Sequence, residues 1–296
     1  MDGKLWNEVY RVVMTIDYTT CETVGSCYHS DRTIVLVFLR AVADDQPVSW
    51  ACDPDHWAGL REPPSWPSQP TMSRRLRSPG VVALLQAIVA WLDSYGPEKE
   101  RTIHIDGRAL AVNAFSKDRD ARWGYATKGF ARGYKIHAIW GSGPVPLAWQ
   151  LCSLNVSEPK VARHLVPGLR PVGHRCYLVG DRAYDSNPLH AVSASRGDQL
   201  LAPQKRRGRA LGHGTHHASR LTSLRMLETD YGRRLYRRRT AIEGQFGNMA
   251  IRPEGLDQLP AHVRRLPRVR QFVNAKLILN GFRILKNKNQ LQLQAP

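Results

Sequence analysis

The run "CYLVG" (176–180) carries no charge, and an aspartate follows it at once. A strand that is apolar on both faces belongs inside a sheet with a layer of structure on each side. Downstream, "SNPLHAVSASRG" reads as a helix and "QLLAPQ" as another short strand. Upstream, "RTIHIDGRAL", "GYKIHAIWG" and "VPLAWQLCSL" are short, β-rich and alternating, with Gly and Pro between them. "SEPKVARHLVPGL" (157–169) predicts a helix with Ser157 as its cap and Pro159 early. The order β-β-β-α-β-α-β predicts an α/β sheet that is part antiparallel and part parallel.

The first third reads differently. "DRTIVLVFLRAVADD" (31–45) and "SPGVVALLQAIVAWLDSYG" (78–96) predict apolar helices, the second ending at Gly96-Pro97. A length of 296 residues fits about two domains. We therefore expect a mostly helical domain over 1–96 and an α/β domain over 97–296. The second would include a basic loop at 205–220 and two C-terminal helices. In "SQPTMSRRLRS" (68–78), Ser73, Arg74 and Arg75 would face DNA if this is the second helix of a helix-turn-helix. A solvated basic helix fits the same letters.

Charge narrows the partners. Lys and Arg number 43 against 25 Asp and Glu, a net charge of +18. That balance points to a polyanion, nucleic acid before an anionic membrane surface. The longest apolar runs fall short of a membrane span, and "MDGKLWNEVYR" lacks a signal pattern. The five cysteines are irregularly spaced, which fits a reducing cytosol. The expected location is cytoplasmic and nucleoid-associated, with no membrane partner. His213, His216 and His217 could ligate a metal, but a solvated loop explains them as well.

In so basic a chain the acids among apolar residues stand out. Asp106 follows an alternating strand, although Asp-Gly between β-rich runs also reads as a hairpin turn. Asp181 stands at the carboxyl end of "CYLVG", where open α/β sheets bind ligands, although a cap or turn would also use it. Glu243 lies in "YRRRTAIEGQFGNMA". On a continuous helix Tyr236, Arg239, Glu243 and Gly247 share one stripe, beside an apolar stripe of Leu235, Ile242, Phe246 and Met249. An amphipathic helix whose glutamate offsets arginines is the plainer reading of that segment. Taken together, two strand-end aspartates and a helical glutamate suit a site for two Mg²⁺ (or Mn²⁺) ions acting on a phosphodiester.

These blocks resemble the DDE insertion-sequence transposases, in the branch with a Tyr-x2-Arg-x3-Glu-x6-Lys motif. Tyr236, Arg239 and Glu243 match it, "HIDGRALAVNAFSKD" is similar to the first-aspartate block, and "VGDRAYDS" to the second. The likeness covers roughly 100–290 and extends upstream through "QPVSWACDPDHW" and "SQPTMSRRLR". The motif's final lysine is replaced by Ala250, and Arg252 would point away from the stripe.

The resemblance implies a ribonuclease H-like core with Asp106, Asp181 and Glu243 as metal ligands. It implies that Tyr236 and Arg239 contact DNA phosphate. It also implies hydrolysis at a transposon end, followed by attack of the freed 3′-hydroxyl on target DNA. The implied partners are double-stranded terminal inverted repeats, target DNA and a second copy of the chain on DNA. Lys128, Arg132 and Lys135 would position phosphates, unless they belong to a solvated loop. Asp185 reads as a supporting group or helix cap, with a ligand role as the lesser option. Two other functions stay open: a catalytically silent DNA-binding regulator, and a metal-dependent nuclease on the same fold.

Overall fold

The computed structural model describes residues 1–19, 28–98, 100–126, 129–171, 173–205, 211, 214–250, 255–256 and 258–290. The expected sites Lys128 and His213, and Arg252, lie outside them. In chain order the α-helices begin with α1 (Gly3–Thr15), α2 (Asp31–Ala43), α3 (Val48–Ala51), α4 (Gln69–Arg75) and α5 (Pro79–Asp93). Strands β1 (Thr102–Ala111), β2 (Arg122–Ala126), β3 (Gly129–Trp140) and β4 (Ala148–Ser153) follow. Then come α6 (Glu158–Leu165), β5 (Tyr177–Val179), α7 (Asn187–Ser195) and β6 (Gln199–Leu201). The chain closes with α8 (Ala218–Glu228), α9 (Asp230–Arg237), α10 (Thr240–Ala250) and α11 (Leu266–Asn287).

Two compact units result, one of residues 1–95 with 248–296 and one of 96–247. This departs from the expected division at the C-terminal end, where the last helix had been assigned to the α/β domain. The reason lies in α11 itself. Val269, Phe272, Val273, Leu277, Ile278 and Phe282 are all buried, too many for one stripe, so the helix is a core element. Its Lys276 is also buried and pairs with Asp45 at 2.9 Å. In the same unit α2 is apolar nearly throughout, with Ile34 to Leu39 buried, and Ser30 caps it by accepting from the Thr33 N–H. Among the described residues no single helix is long and apolar enough to cross a membrane.

The second unit is α/β with a ribonuclease H-like core. Among its described residues six strands form one mixed sheet in the order β2-β3-β1-β5-β6, with β4 also on β3. β1 is antiparallel to β3 and parallel to β5, and β5 is parallel to β6. Side chains alternate between faces along each strand. Ile103, Ile105, Leu178 and Leu200 point to one face and pack with Val161 and Leu165 of α6 and Leu189 of α7. Val179 and Leu201 point to the other, against Leu235 and Tyr236 of α9 and Met226 of α8. The sheet is thus buried on both sides around β5, as the uncharged "CYLVG" requires.

Two local expectations change. β1 runs straight through Asp106-Gly107, paired with Ala138 and His137, so this dipeptide is not a hairpin turn. The helix drawn through "YGRRLYRRRTAIEGQFGNMAI" is broken into α9 and α10 at Arg238-Arg239. Five arginines fall within 233–239. Continued as one helix, Arg234 and Arg238 would add like-charge repulsion to that already present between Arg233 and Arg237 within α9. The chain tightens there instead, the Arg239 N–H bonding the Tyr236 carbonyl and the Ile242 N–H the Arg239 carbonyl.

Candidate active site

Register places the two aspartates side by side. His104 of β1 pairs with Val179 of β5 in a parallel ladder. Asp106 and Asp181 each stand two residues further on, at one level and on one face. Adjacent strands lie ~4.8 Å apart, which brings the carboxylates within strong electrostatic reach. Asp106 accepts from the Gly107 N–H at 2.7 Å. Asp181 accepts from the Ala183 N–H at 2.8 Å and so caps the short 3₁₀ turn Arg182–Tyr184.

Asp106 is electrostatically unusual. Burial pushes its carboxyl up to about 6, helped by the charges of Asp181 and Glu158 and opposed by the Gly107 hydrogen bond and Arg239. Below the pair lies the Tyr184 ring. A Cβ on Gly180 would meet that ring at 2.9 Å and Ile105 at 3.0 Å, so only glycine lets β5 end there. Burial, then Glu158, Asp106 and Asp181, drive the Tyr184 hydroxyl well above the usual phenol range.

The basic side of the site comes from the α9–α10 turn. Arg239 pairs with Glu243 at 2.6 Å and shares a side-chain hydrogen bond with Tyr236. Arg108, on the same face of β1 as Asp106, donates to the Phe246 carbonyl at 2.7 Å and fastens α10 to the sheet. Leu235, Ile242, Phe246 and Met249 are buried, as the apolar stripe predicts. The Tyr-Arg-Glu spacing therefore survives the helix break as a contiguous row. Gly247 faces open space, with nothing within 4 Å of where a Cβ would be.

The third expected carboxylate, Glu243, is engaged by Arg239 and is not grouped with the two aspartates. Among the described residues no three His, Cys, Asp or Glu side chains are grouped as for a metal ion. The two aspartates are neighbours, but Glu243 is half-exposed and held by the Arg239 guanidinium. The residues still fit a divalent cation. Two hard oxygen donors at one level, one with its carboxyl raised by burial and by its neighbour's charge, are the donor set that Mg²⁺ or Mn²⁺ would relieve.

Several expected DNA contacts have partners within the protein. Lys135 pairs with Glu158 at 2.9 Å. Arg132 donates to the carbonyls of Ala121, Ser116 and Asp118. Arg75 donates to Asp31 at 2.7 Å and to the His29 carbonyl, whereas Ser73 and Arg74 beside it are exposed. Asp185 is buried under a two-pronged Arg220 contact, both bonds 2.7 Å, and accepts from the Lys205 N–H. That makes it a supporting group. His216 bonds Arg220, and His217 caps α8.

The sequence did not point to Glu158, Tyr184 or Arg108. Only register and crossover bring them to the aspartates, and no local spacing encodes that. A family model described as the transposase DDE domain matches residues 97–270. It begins with the second compact unit and runs past its end into the first. No curated protein and no solved structure matches the chain.

Proposed function

Because the chain belongs to the transposase DDE-domain family, whose model spans more than half of it, we propose that it is a transposase that cuts DNA at transposon ends and joins them to target DNA. Family membership itself makes it a nucleic-acid-cleaving enzyme acting on DNA. The observation that carries the finer reading is the Asp106–Asp181 pair at one register level, with Tyr236 and Arg239 over the same face.

Asp106 and Asp181 would hold divalent cations, with Glu243 as a third oxygen donor. When bound, two such ions supply charge neutralisation and activation of the attacking oxygen at a phosphodiester. The chain's own residues do the positioning. Arg239, planar and forked, suits a phosphate. A phosphate arriving there competes with Glu243 for the guanidinium. DNA binding would thus release the glutamate toward the aspartates, and Tyr236 would steady Arg239 throughout.

The test is cleavage of DNA carrying the inverted repeats that flank the gene, with Mg²⁺ or Mn²⁺. Nicking followed by strand joining, both lost in Asp106→Ala, is the expected result. Nicking without joining would instead assign a nuclease. The Arg239–Glu243 pair and Ala250 favour a second reading, a silent DNA-binding regulator. That reading predicts repeat-specific binding with no cleavage by the unaltered protein.

A further inference from the structure

We propose that the β2–β3 hairpin is a stacking platform for unpaired DNA bases, on the sheet face that carries Asp106 and Asp181. This rests on the protein acting on DNA. Large aromatics are seldom exposed in groups. Here Trp123 (49 % exposed) and Tyr125 (79 %) each pack a ring against Phe130 (62 %). Trp123 and Phe130 lie nearly parallel, with centroids 5.6 Å apart and planes at 12°, and Tyr125 meets Phe130 edge-on at 5.5 Å.

Register fixes the face. Tyr125 pairs with Phe130 and Trp123 with Arg132, so all four point the same way. On β3 that face continues through Tyr134 and Ile136 to Ala138, the partner of Asp106. Phe130 stands eight residues before Ala138, about 27 Å along the strand.

The opposite face of the hairpin is closed. A Cβ on Gly124 would strike the Leu154 carbonyl oxygen at 2.6 Å. Small residues thus press inward and aromatics are left outward, the reverse of a strand built for a core. The setting is rigid and cationic. Arg132 ties down the 116–121 segment through three carbonyls, and Tyr134 donates to the buried Asp118 at 2.7 Å. Lys117 and Arg119 are exposed, while Asp118 is buried and Asp120 half-buried. Exposed cations beside stacked rings match a nucleic-acid strand, since every base offers a π-face and every linkage a negative charge. A second copy of a +18 chain would bring like charge to this patch.

The experiment compares binding of an oligothymidylate and a blunt duplex by the full chain, using fluorescence anisotropy. The variants are Trp123→Ala, Phe130→Ala and Tyr125→Ala, with Trp123→Phe as the conservative control and thermal melts confirming the fold. Each alanine variant should weaken oligothymidylate binding roughly 10-fold. Duplex binding should stay within about two-fold, and Trp123→Phe should keep most of the affinity. Unchanged oligothymidylate binding, or equal losses on both probes, would overturn the proposal. So would loss of self-association in light scattering without a change in DNA affinity, which would assign the patch to a second copy. Binding needs no cleavage, so failure of the catalytic reading appears separately, as absence of nicking by the unaltered protein.

Discussion

Arg239 grips the Glu243 carboxylate at 2.6 Å, and its charge also lowers the pKa of Asp106. One guanidinium thus serves as counter-charge to two of the acids assigned to the site. Substitutions at its two ends should separate binding from chemistry. Glu243→Gln frees Arg239 for phosphate, so DNA affinity should rise while cleavage is lost. Arg239→Gln should lower cleavage about 100-fold, the scale seen when a charge-stabilising donor is removed. Single-turnover nicking together with a binding isotherm checks both. Equal loss of binding in the two variants would refute the competition between glutamate and phosphate.

Asp106 makes the unliganded site costly at neutral pH. Its folded carboxyl titrates at about 6, above its ordinary 3.8, so the folded state holds the proton more tightly than the unfolded state does. The ionised form therefore destabilises the fold by roughly 3 kcal/mol above pH 6. That cost fades as pH falls from about 6 toward 4. Asp106→Asn should melt several degrees higher than the unaltered protein at pH 8 and equal it near pH 4. Mn²⁺ should raise the melting temperature of the unaltered protein at pH 8 and not that of the variant. Melting curves over pH, with and without cation, decide it.

That Asp106 and Asp181 belong to strand segments was legible from two local signals, an alternating strand and a short uncharged one. The register that sets them side by side was not, because it is fixed by pairing between distant segments. The β2 strand was not legible either. Its "RWGYA" turns Trp123 and Tyr125 outward and packs Gly124 inward, so its hydrophobic pattern is inverted. Helix α8 carries no apolar stripe, Ser223 being its fully buried residue, and periodicity has nothing to detect there. The break at Arg238-Arg239 was hidden for a different reason. A tight turn and a continuous helix both place Arg239 next to Glu243, so the motif spacing is the same in either.

Asp185 resembles Asp181 in sequence position but differs in physics. Burial alone would raise its carboxyl. Hydrogen bonds from His190, Arg220 and the Lys205 N–H, with the Arg220 charge, hold it well below the usual carboxylate range. A depressed folded pKa contributes stability above the unfolded value near 4, and that contribution is lost as pH falls below it. Asp185→Ala should cost about 3–5 kcal/mol at pH 7, because Arg220 is left largely buried without its partner. The deficit should shrink in acid. The Mn²⁺-induced rise in melting temperature should persist, as Asp185 holds no cation in this reading. Denaturant titrations at pH 7 and pH 3 measure the first effect, and loss of the Mn²⁺ response would return Asp185 to the ligand set.

Arg132 gives the sharpest contrast between a charge that binds DNA and one that builds the surface DNA meets. A side chain contacting phosphate adds about one unit to the dependence of log affinity on log salt. Arg132 spends its donors on three backbone carbonyls of the 116–121 segment, so its charge is already engaged. Replacing it with Gln should cost about 2–4 kcal/mol of stability, since carbonyls that accepted from a cation lose that partner. The salt slope should stay the same at temperatures where the variant is folded. Arg119, exposed beside the aromatic hairpin, should lower the slope by about one when changed to Gln. A salt slope that fell for Arg132→Gln with stability intact would mean that its guanidinium turns outward to phosphate when DNA binds. The 116–121 segment would then have to be held by something other than the bonds seen here.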